Sequence, residues 1–187
     1  MAAIIVGAIV TAAAIRMTFK IGDTVVHPQY GLGQVVNLEE REFDPGMKRS
    51  YYEVLIEAGS TLWVPQEPPS FGLRKLAERS EIDHCRKILE SPPVPVDEDA
   101  RSRQSNLSNR LKRGTIRTQC EVVRDLYAYG EHKSMYGSMS NFLRQTQSVL
   151  CQEWAVVEEV TLMQAFEEVN SLLEKSRGSP NLNDKGS

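Results

Sequence analysis

The pattern of hydrophobic and polar residues over 19–65 predicts β-structure. Short runs rich in β-branched and aromatic residues are typical of strands. Glycine and proline lie between these runs and predict tight turns. Four or five short antiparallel strands in so short a segment favour a small closed barrel, because closure removes exposed sheet edges. The predicted strands are 24–27, 33–38, 51–56 and 61–64, and the predicted turns are 28–33, 44–46 and 58–60.

From Glu78 onward the apolar residues recur at intervals of three and four, which is the period of an amphipathic helix. The pattern predicts a first helix over 82–89, capped by Ser80 and stopped by the prolines that follow Ser91. A second helix is expected from about Asp97 to Leu111. Further helices follow, and Thr161 with Gln164 forms a capping-box pattern before the last one. The fold class is therefore α+β, a β-barrel followed by an all-α helical bundle.

These changes of pattern divide the chain into four segments. We expect an apolar extension at 1–16, a β domain at 17–77, a helical domain at 78–177 and a disordered polar tail at 178–187. The apolar run is shorter than the roughly 20 residues of a membrane span, and it lacks the preceding basic residues of a secretory signal. Three interpretations stay open: a misplaced start codon upstream of Met17, weak membrane association, or a packed helix.

Composition narrows the class of protein. Of the 187 residues, 41% are hydrophobic and 25% charged, which is typical of a globular protein and excludes collagen-like and wholly disordered chains. The net charge of −3 excludes a uniformly basic nucleic-acid coat protein. The three cysteines show no paired spacing, so we expect reduced, buried thiols and a cytoplasmic protein.

Positive charge is concentrated in one segment. Residues 100–117 contain six basic residues and no acidic one, whereas the segments 78–99 and 118–187 each carry a net charge of −4. Arginines interleaved with small polar residues on a helix are suited to a phosphate backbone. The alternative is a solvated helix face that only offsets the acidic neighbours.

No catalytic or metal-binding motif emerges from the sequence, so we expect neither an enzyme nor a bound cofactor or metal. His84 and Cys85 are adjacent and would point in different directions on a helix. His27 and His132 have no second ligand at metal spacing. The acidic pairs Glu158–Glu159 and Glu167–Glu168 are expected to form a solvated face.

The two tryptophans receive different interpretations. Trp154 follows Leu150 and Cys151 at helical spacing and is expected in the core. Trp63 precedes Val64 on a predicted strand, where a packed face and an exposed partner-binding face are both open. The orientation of Trp63 therefore decides whether it can contact a partner.

The segment from Phe19 to Val35 carries the pattern F-x-x-G-D-x-V-V-x-P-x-x-G-x-G. It resembles the start of the CarD/CdnL family of bacterial transcription regulators, a module shared with the transcription-repair coupling factor. The motifs YYEV at 51–54, WVP at 63–65 and GLR at 72–74 continue the match in order. The resemblance extends with weaker motifs to about Lys175.

The resemblance implies a Tudor-like (SH3-like) barrel that docks on the β subunit of RNA polymerase, and a helical domain that contacts promoter DNA upstream of the melted bubble. Arg41 and Trp63 fall at the family's polymerase contacts. Arg103 matches an arginine that contacts the DNA backbone. We therefore expect a monomer that modulates open-complex stability and has no small-molecule substrate. The predicted DNA-binding residues are Arg101, Arg103, Arg110, Lys112 and Arg113.

One departure from the family concerns a tryptophan that many members use as a wedge in the minor groove. The aligned position here is Ala100, which cannot insert an aromatic surface beside an unstacked base step. The sequence thus predicts weaker open-complex stabilisation than in members that carry the wedge. A rival hypothesis from another class is a protein-interaction scaffold without DNA contact, held at a membrane by its apolar N-terminus.

Overall fold

A computed structural model describes residues 18–57, 59–66, 73–133, 135 and 137–177. Within these residues a β domain of five strands precedes a helical domain of five helices, as the α+β class requires. The strands are β1 Thr24–His27, β2 Gly31–Asp44, β3 Met47–Ile56, β4 Thr61–Pro65 and β5 Arg74–Lys75. The helices are α1 Arg79–Glu90, α2 Ala100–Arg113, α3 Ile116–His132, α4 Ser138–Glu158 and α5 Leu162–Arg177.

The strands form one antiparallel sheet in the order β4-β3-β2-β1-β5. All four predicted strands are present, and β2 and β3 extend well beyond their predicted ends toward the turn at Pro45 and Gly46. Apolar side chains on the inner side of the sheet make the core of the β domain. Its members are Phe19, Val25, Val35, Tyr52, Val54, Ile56, Val64 and Leu73.

Gly31 and Gly33, the two glycines of the G-x-G motif, are each required for a different steric reason. Gly31 has a φ of +84°, and a Cβ there would clash with Gln152 Oε1 in α4. A Cβ on Gly33 would lie 2.8 Å from Val54 Cγ1 and 2.9 Å from the carbonyl oxygen of Leu55. The first glycine therefore permits the helical domain to approach, and the second permits the strands to pack.

The start of α1 differs from its prediction. The helix begins at Arg79 with Glu78 as N-cap, so Ser80 lies inside its first turn and is not the cap. The backbone N–H of Ala77 donates to Glu153 Oε1 in α4 at 2.9 Å. This tertiary bond fixes the chain immediately before the helix, and it explains why the local capping signal did not determine the boundary. The helix ends at Glu90, before the prolines that were predicted to stop it.

Local capping groups are present where α2 and α5 begin. Asp99 caps α2 by accepting a hydrogen bond from Ser102 N at 2.8 Å. The capping box before α5 is confirmed, because Gln164 N donates to Thr161 Oγ1 and Thr161 N donates to Gln164 Oε1. The helices share an apolar core in which Trp154 is fully buried, as predicted.

The two domains are joined by a buried ion pair. Arg74 in β5 makes two parallel hydrogen bonds to the carboxylate of Glu153 in α4, whose side chain is 0% exposed. The same guanidinium donates to Gln119 Oε1 at 3.1 Å. Val26 and Leu32 also pack against Val149 across the boundary. The orientation of the sheet relative to the helices is thus determined by polar and apolar contacts together.

Cys85, Cys120 and Cys151 are free and buried, as predicted. Burial raises the pKa of Cys151 to about 12, so this thiol is protonated at neutral pH. No helix in the described part of the chain is long and apolar enough to cross a membrane. The expectations for the segments 1–16 and 178–187 fall outside the described residues.

Candidate functional site

The outward side of the sheet carries an aromatic and cationic cluster. In β3 the side chains of Tyr52, Val54 and Ile56 face the core, so Tyr51 and its alternate neighbours face outward. Trp63 pairs with Glu53 in the register, which places it on the outward side as well. We call the surface formed by Arg41, Phe43, Tyr51 and Trp63 the outer sheet face.

Arg41 and Trp63 are in direct contact. The Arg41 Cζ lies 3.7 Å from the centroid of the Trp63 ring, which is a close cation–π geometry. The guanidinium also forms an ion pair with Glu39 on the same strand. The structure therefore brings together the two residues predicted to bind the polymerase, although they are 22 positions apart in the sequence.

Phe43 belongs to this surface and was missed by the sequence analysis. Its ring centroid lies 4.9 Å from that of Tyr51, edge to face, and 6.4 Å from that of Trp63. Phe43 is 53% exposed. Its position two residues after Arg41 on one strand was the signal that could have revealed it. Rigid aromatic rings beside an arginine are the composition found at interaction hot spots.

The predicted DNA-binding residues on α2 lie in different environments. Arg101 and Lys112 are exposed, and neither has an ion-pair partner within the described part of the chain. Arg110 is already ion-paired within the protein, since it donates to Glu121 Oε2 at 3.0 Å. The side chain of Arg113 lies outside the described residues. Among the predicted residues whose side chains are described, Arg101 and Lys112 are therefore free for an external phosphate.

Arg103 points inward and is 7% exposed. Its Nη1 donates to the carbonyl oxygens of Asp97 and Glu98 at 2.7 and 2.9 Å. The guanidinium also lies 4.6 Å from the centroid of the Tyr129 ring in α3. In this conformation Arg103 fixes the start of α2, whereas Arg101 and Lys112 on the same helix are exposed to solvent.

His27 supports the turn that connects β1 and β2. Its Nδ1 accepts hydrogen bonds from the backbone N–H groups of Gln29 and Tyr30 at 3.2 and 3.3 Å. Burial lowers the pKa of His27 to about 4, because the charged imidazolium is poorly solvated there. The ring is thus neutral at physiological pH, with its proton on Nε2.

We expect the free energy of unfolding to fall by about 2 kcal/mol as the pH is lowered from 6.5 to 4. In the folded state the pKa of His27 is about 4 and the ordinary value is 6.5, so protons in this range bind the unfolded chain preferentially. Urea unfolding across this range measures the effect. His27→Asn retains a side-chain acceptor for the turn and does not titrate, so it should flatten the dependence. An identical pH slope in both proteins would contradict the assignment.

One residue of each acidic pair, Glu158 in α4 and Glu168 in α5, serves a structural role in the fold. Arg86 of α1 donates to Glu158 Oε2 at 2.8 Å and to Glu168 Oε1 at 2.7 Å. Hydrogen bonding to Glu168, followed by Glu158, raises the pKa of Arg86. The expected solvated acidic face is therefore wrong for these two residues, since they hold three helices together through one arginine.

Comparisons with known proteins agree with this architecture. The model of the CarD-like/TRCF RID domain matches residues 19–76, which contain all five strands. The model of the CarD C-terminal domain matches residues 84–170, which span most of the helical domain. A protein of Bacillus subtilis (strain 168), described as "Putative transcription factor YdeB", is 26% identical over 145 residues, which cover 76% of this chain and 94% of that protein. The chain belongs to the CarD-like family, and its role is that of a transcription regulator.

Proposed function

We propose that the outer sheet face docks on the β subunit of bacterial RNA polymerase and that α2 then contacts promoter DNA, which modulates the stability of the open complex. The observation that carries the proposal is the stack of Arg41 on Trp63. The stack holds a cation and a large aromatic ring in one fixed, outward-facing arrangement. Such preorganisation lowers the entropy that side chains lose on binding.

Phe43 and Tyr51 support the docking part of the proposal. The edge-to-face packing of Phe43 on Tyr51 leaves the Phe43 ring largely in solvent next to the Trp63 ring. An exposed aromatic ring is costly in water, and it is stabilised when a partner covers it. The outer sheet face therefore has the chemistry of a protein-binding surface.

The DNA part of the proposal requires few contacts. Arg101 and Lys112 supply positive charge on the exposed side of α2. Docking of the β domain raises the local concentration of this helix at the promoter, so a small number of phosphate contacts is sufficient. This arrangement is compatible with a net charge of −3. Binding to free DNA should accordingly be weak and should decrease steeply with salt.

A pull-down of bacterial RNA polymerase by the purified protein tests the docking surface. Arg41→Glu should abolish capture, because it replaces the stacked cation by a charge that a ring face repels. Trp63→Ala should reduce capture at least about tenfold, as the loss of an interface hot spot does. The matched control is Lys48→Glu, which makes the same charge change on the opposite face of the same hairpin. Wild-type protein that captures no polymerase, or equal loss in the control, would overturn the proposal.

A further inference from the structure

A groove separates the turn between β1 and β2 from helices α2 and α4. Its volume is about 540 Å³, within the range of small-ligand sites, and it lies between two domains, where such sites are common. Gln145 Nε2 in α4 donates to the carbonyl oxygen of Gln29 at 2.7 Å, and both residues line the groove. The polar groups that line the groove include His27, Tyr30, Gln104, Ser108, Lys112 and Asn141.

The polar groups that line the groove are neutral or positively charged. The lining contains amides, hydroxyls and the ammonium group of Lys112, but none of the described residues that line the groove is acidic. The whole chain has 25 acidic residues, so their absence from this lining is a local property of the groove. Amides and hydroxyls hydrogen-bond both phosphate oxygens and the edges of bases. The groove is therefore suited to a ligand that combines negative charge with hydrogen-bonding rings.

A second cavity of about 630 Å³ adjoins the first, because Gln104 and Ser138 line both. It extends toward the start of α2, where Arg101 lies. Arg103 also lines it, and the Nε of this buried side chain has no hydrogen-bond partner among the described residues. We call the two cavities together the α2–α4 groove.

The cations along the groove are widely spaced. Arg101 and Lys112 are eleven residues apart on one helix, a rise of about 16 Å along its axis. Arg144 stands beside the groove on α4, where its Nη2 donates to Asn141 Oδ1 at 3.2 Å. A compact nucleotide with clustered phosphates would require clustered cations. Spaced cations instead match a chain that carries one phosphate on each unit.

Tyr30 provides an aromatic surface at the groove. Its side chain is 48% exposed, and its ring centroid lies 4.8 Å from that of His27. His27 is fixed by its two backbone hydrogen bonds, so the pair is a rigid platform. Stacking of bases on aromatic rings is the usual way in which proteins bind single-stranded nucleic acid without reading its sequence.

We propose that the α2–α4 groove binds a short segment of single-stranded DNA, with a base stacked on Tyr30 and successive phosphates near Lys112 and Arg101. The inference rests on the proposed function, since an open promoter supplies unpaired strands close to a docked regulator. Duplex DNA keeps its bases stacked inside the helix and offers Tyr30 no free ring face. The groove therefore discriminates between melted and paired DNA by shape and stacking.

Fluorescence anisotropy with the full chain tests the inference. The probes are a labelled oligo(dT) of about twelve nucleotides and the corresponding duplex. The single strand should bind roughly tenfold more tightly than the duplex, and Tyr30→Ala should weaken single-strand binding roughly tenfold, whereas Tyr30→Phe retains it. Lys112→Gln should reduce the magnitude of the slope of log affinity against log salt by about one, because it removes one phosphate contact. Lys87→Gln makes the same change at an exposed position on α1. It should alter neither the affinity for the single strand nor the salt dependence of that affinity.

Three results would overturn the inference. One is equal or tighter binding of the duplex, another is single-strand binding that Tyr30→Ala leaves unchanged, and the third is equally effective competition by thymidine monophosphate. Polymerase capture by the wild-type protein and by Tyr30→Ala distinguishes this failure from failure of the proposed function. Any of these three results with capture intact overturns the groove proposal alone, because Tyr30 is not part of the outer sheet face.

Discussion

Arg74→Met is expected to lower the free energy of unfolding by about 3 to 5 kcal/mol. Glu153 is fully buried in α4, and the substitution removes the guanidinium that neutralises its carboxylate. The remaining donor, the backbone N–H of Ala77, supplies one hydrogen bond and no charge. A buried charge without its partner is costly because its lost hydration is not replaced. Urea unfolding monitored by Trp154 fluorescence measures the loss.

A double-mutant cycle separates the ion pair from general packing. Arg74→Met combined with Glu153→Leu should recover most of the lost stability, since an apolar pair can replace a buried ion pair at little net cost. The control is Lys133→Met, which breaks an exposed pair with Glu98 and should change stability by about 1 kcal/mol or less. If Arg74→Met costs no more than this control, the interdomain ion pair does not determine stability.

Ala100→Trp is expected to lengthen the lifetime of the open promoter complex about tenfold, given the proposed function. Ala100 is the exposed first residue of α2, and Asp99 caps the helix independently of the residue that follows. A tryptophan there can insert beside an unstacked base step and offset part of the few kcal/mol that unstacking costs. The decay of open complexes after addition of a DNA competitor provides the measurement.

The matched control for this gain is Ser105→Trp, which places the same ring on the exposed side of the same helix, away from its start. This variant should leave the lifetime within about twofold of the wild-type value, because surface area alone does not act as a wedge. Equal lengthening by both variants, or no effect of Ala100→Trp, would contradict the assignment of Ala100 to the wedge position.

Much of the fold could be predicted because local and tertiary preferences agree. Runs of β-branched and aromatic residues predicted the strands, and the turn at Pro45 and Gly46 was visible from its residue types. The capping box at Thr161 operates as predicted, since both of its hydrogen bonds lie within one helical turn. Such features depend on residues close together in the sequence, which is why a single chain is sufficient to predict them.

The candidate site was less predictable because distant residues determine it. Trp63 faces outward through its register with β3, and a shift of one residue would have turned it into the core. Arg103 faces inward because Tyr129 and two loop carbonyls surround it. Composition placed Arg103 in a basic stretch, but it could not reveal which members of that stretch meet solvent.

The joint between the domains also limits how this architecture can be recombined. Arg74 belongs to the last strand of the β domain, whereas Glu153 belongs to the fourth helix of the other domain. A foreign β domain grafted onto these helices would leave the carboxylate of Glu153 buried without a counter-ion unless it brought a cation to the same place. One domain can therefore be exchanged for a foreign one only if the incoming domain supplies the matching member of this ion pair.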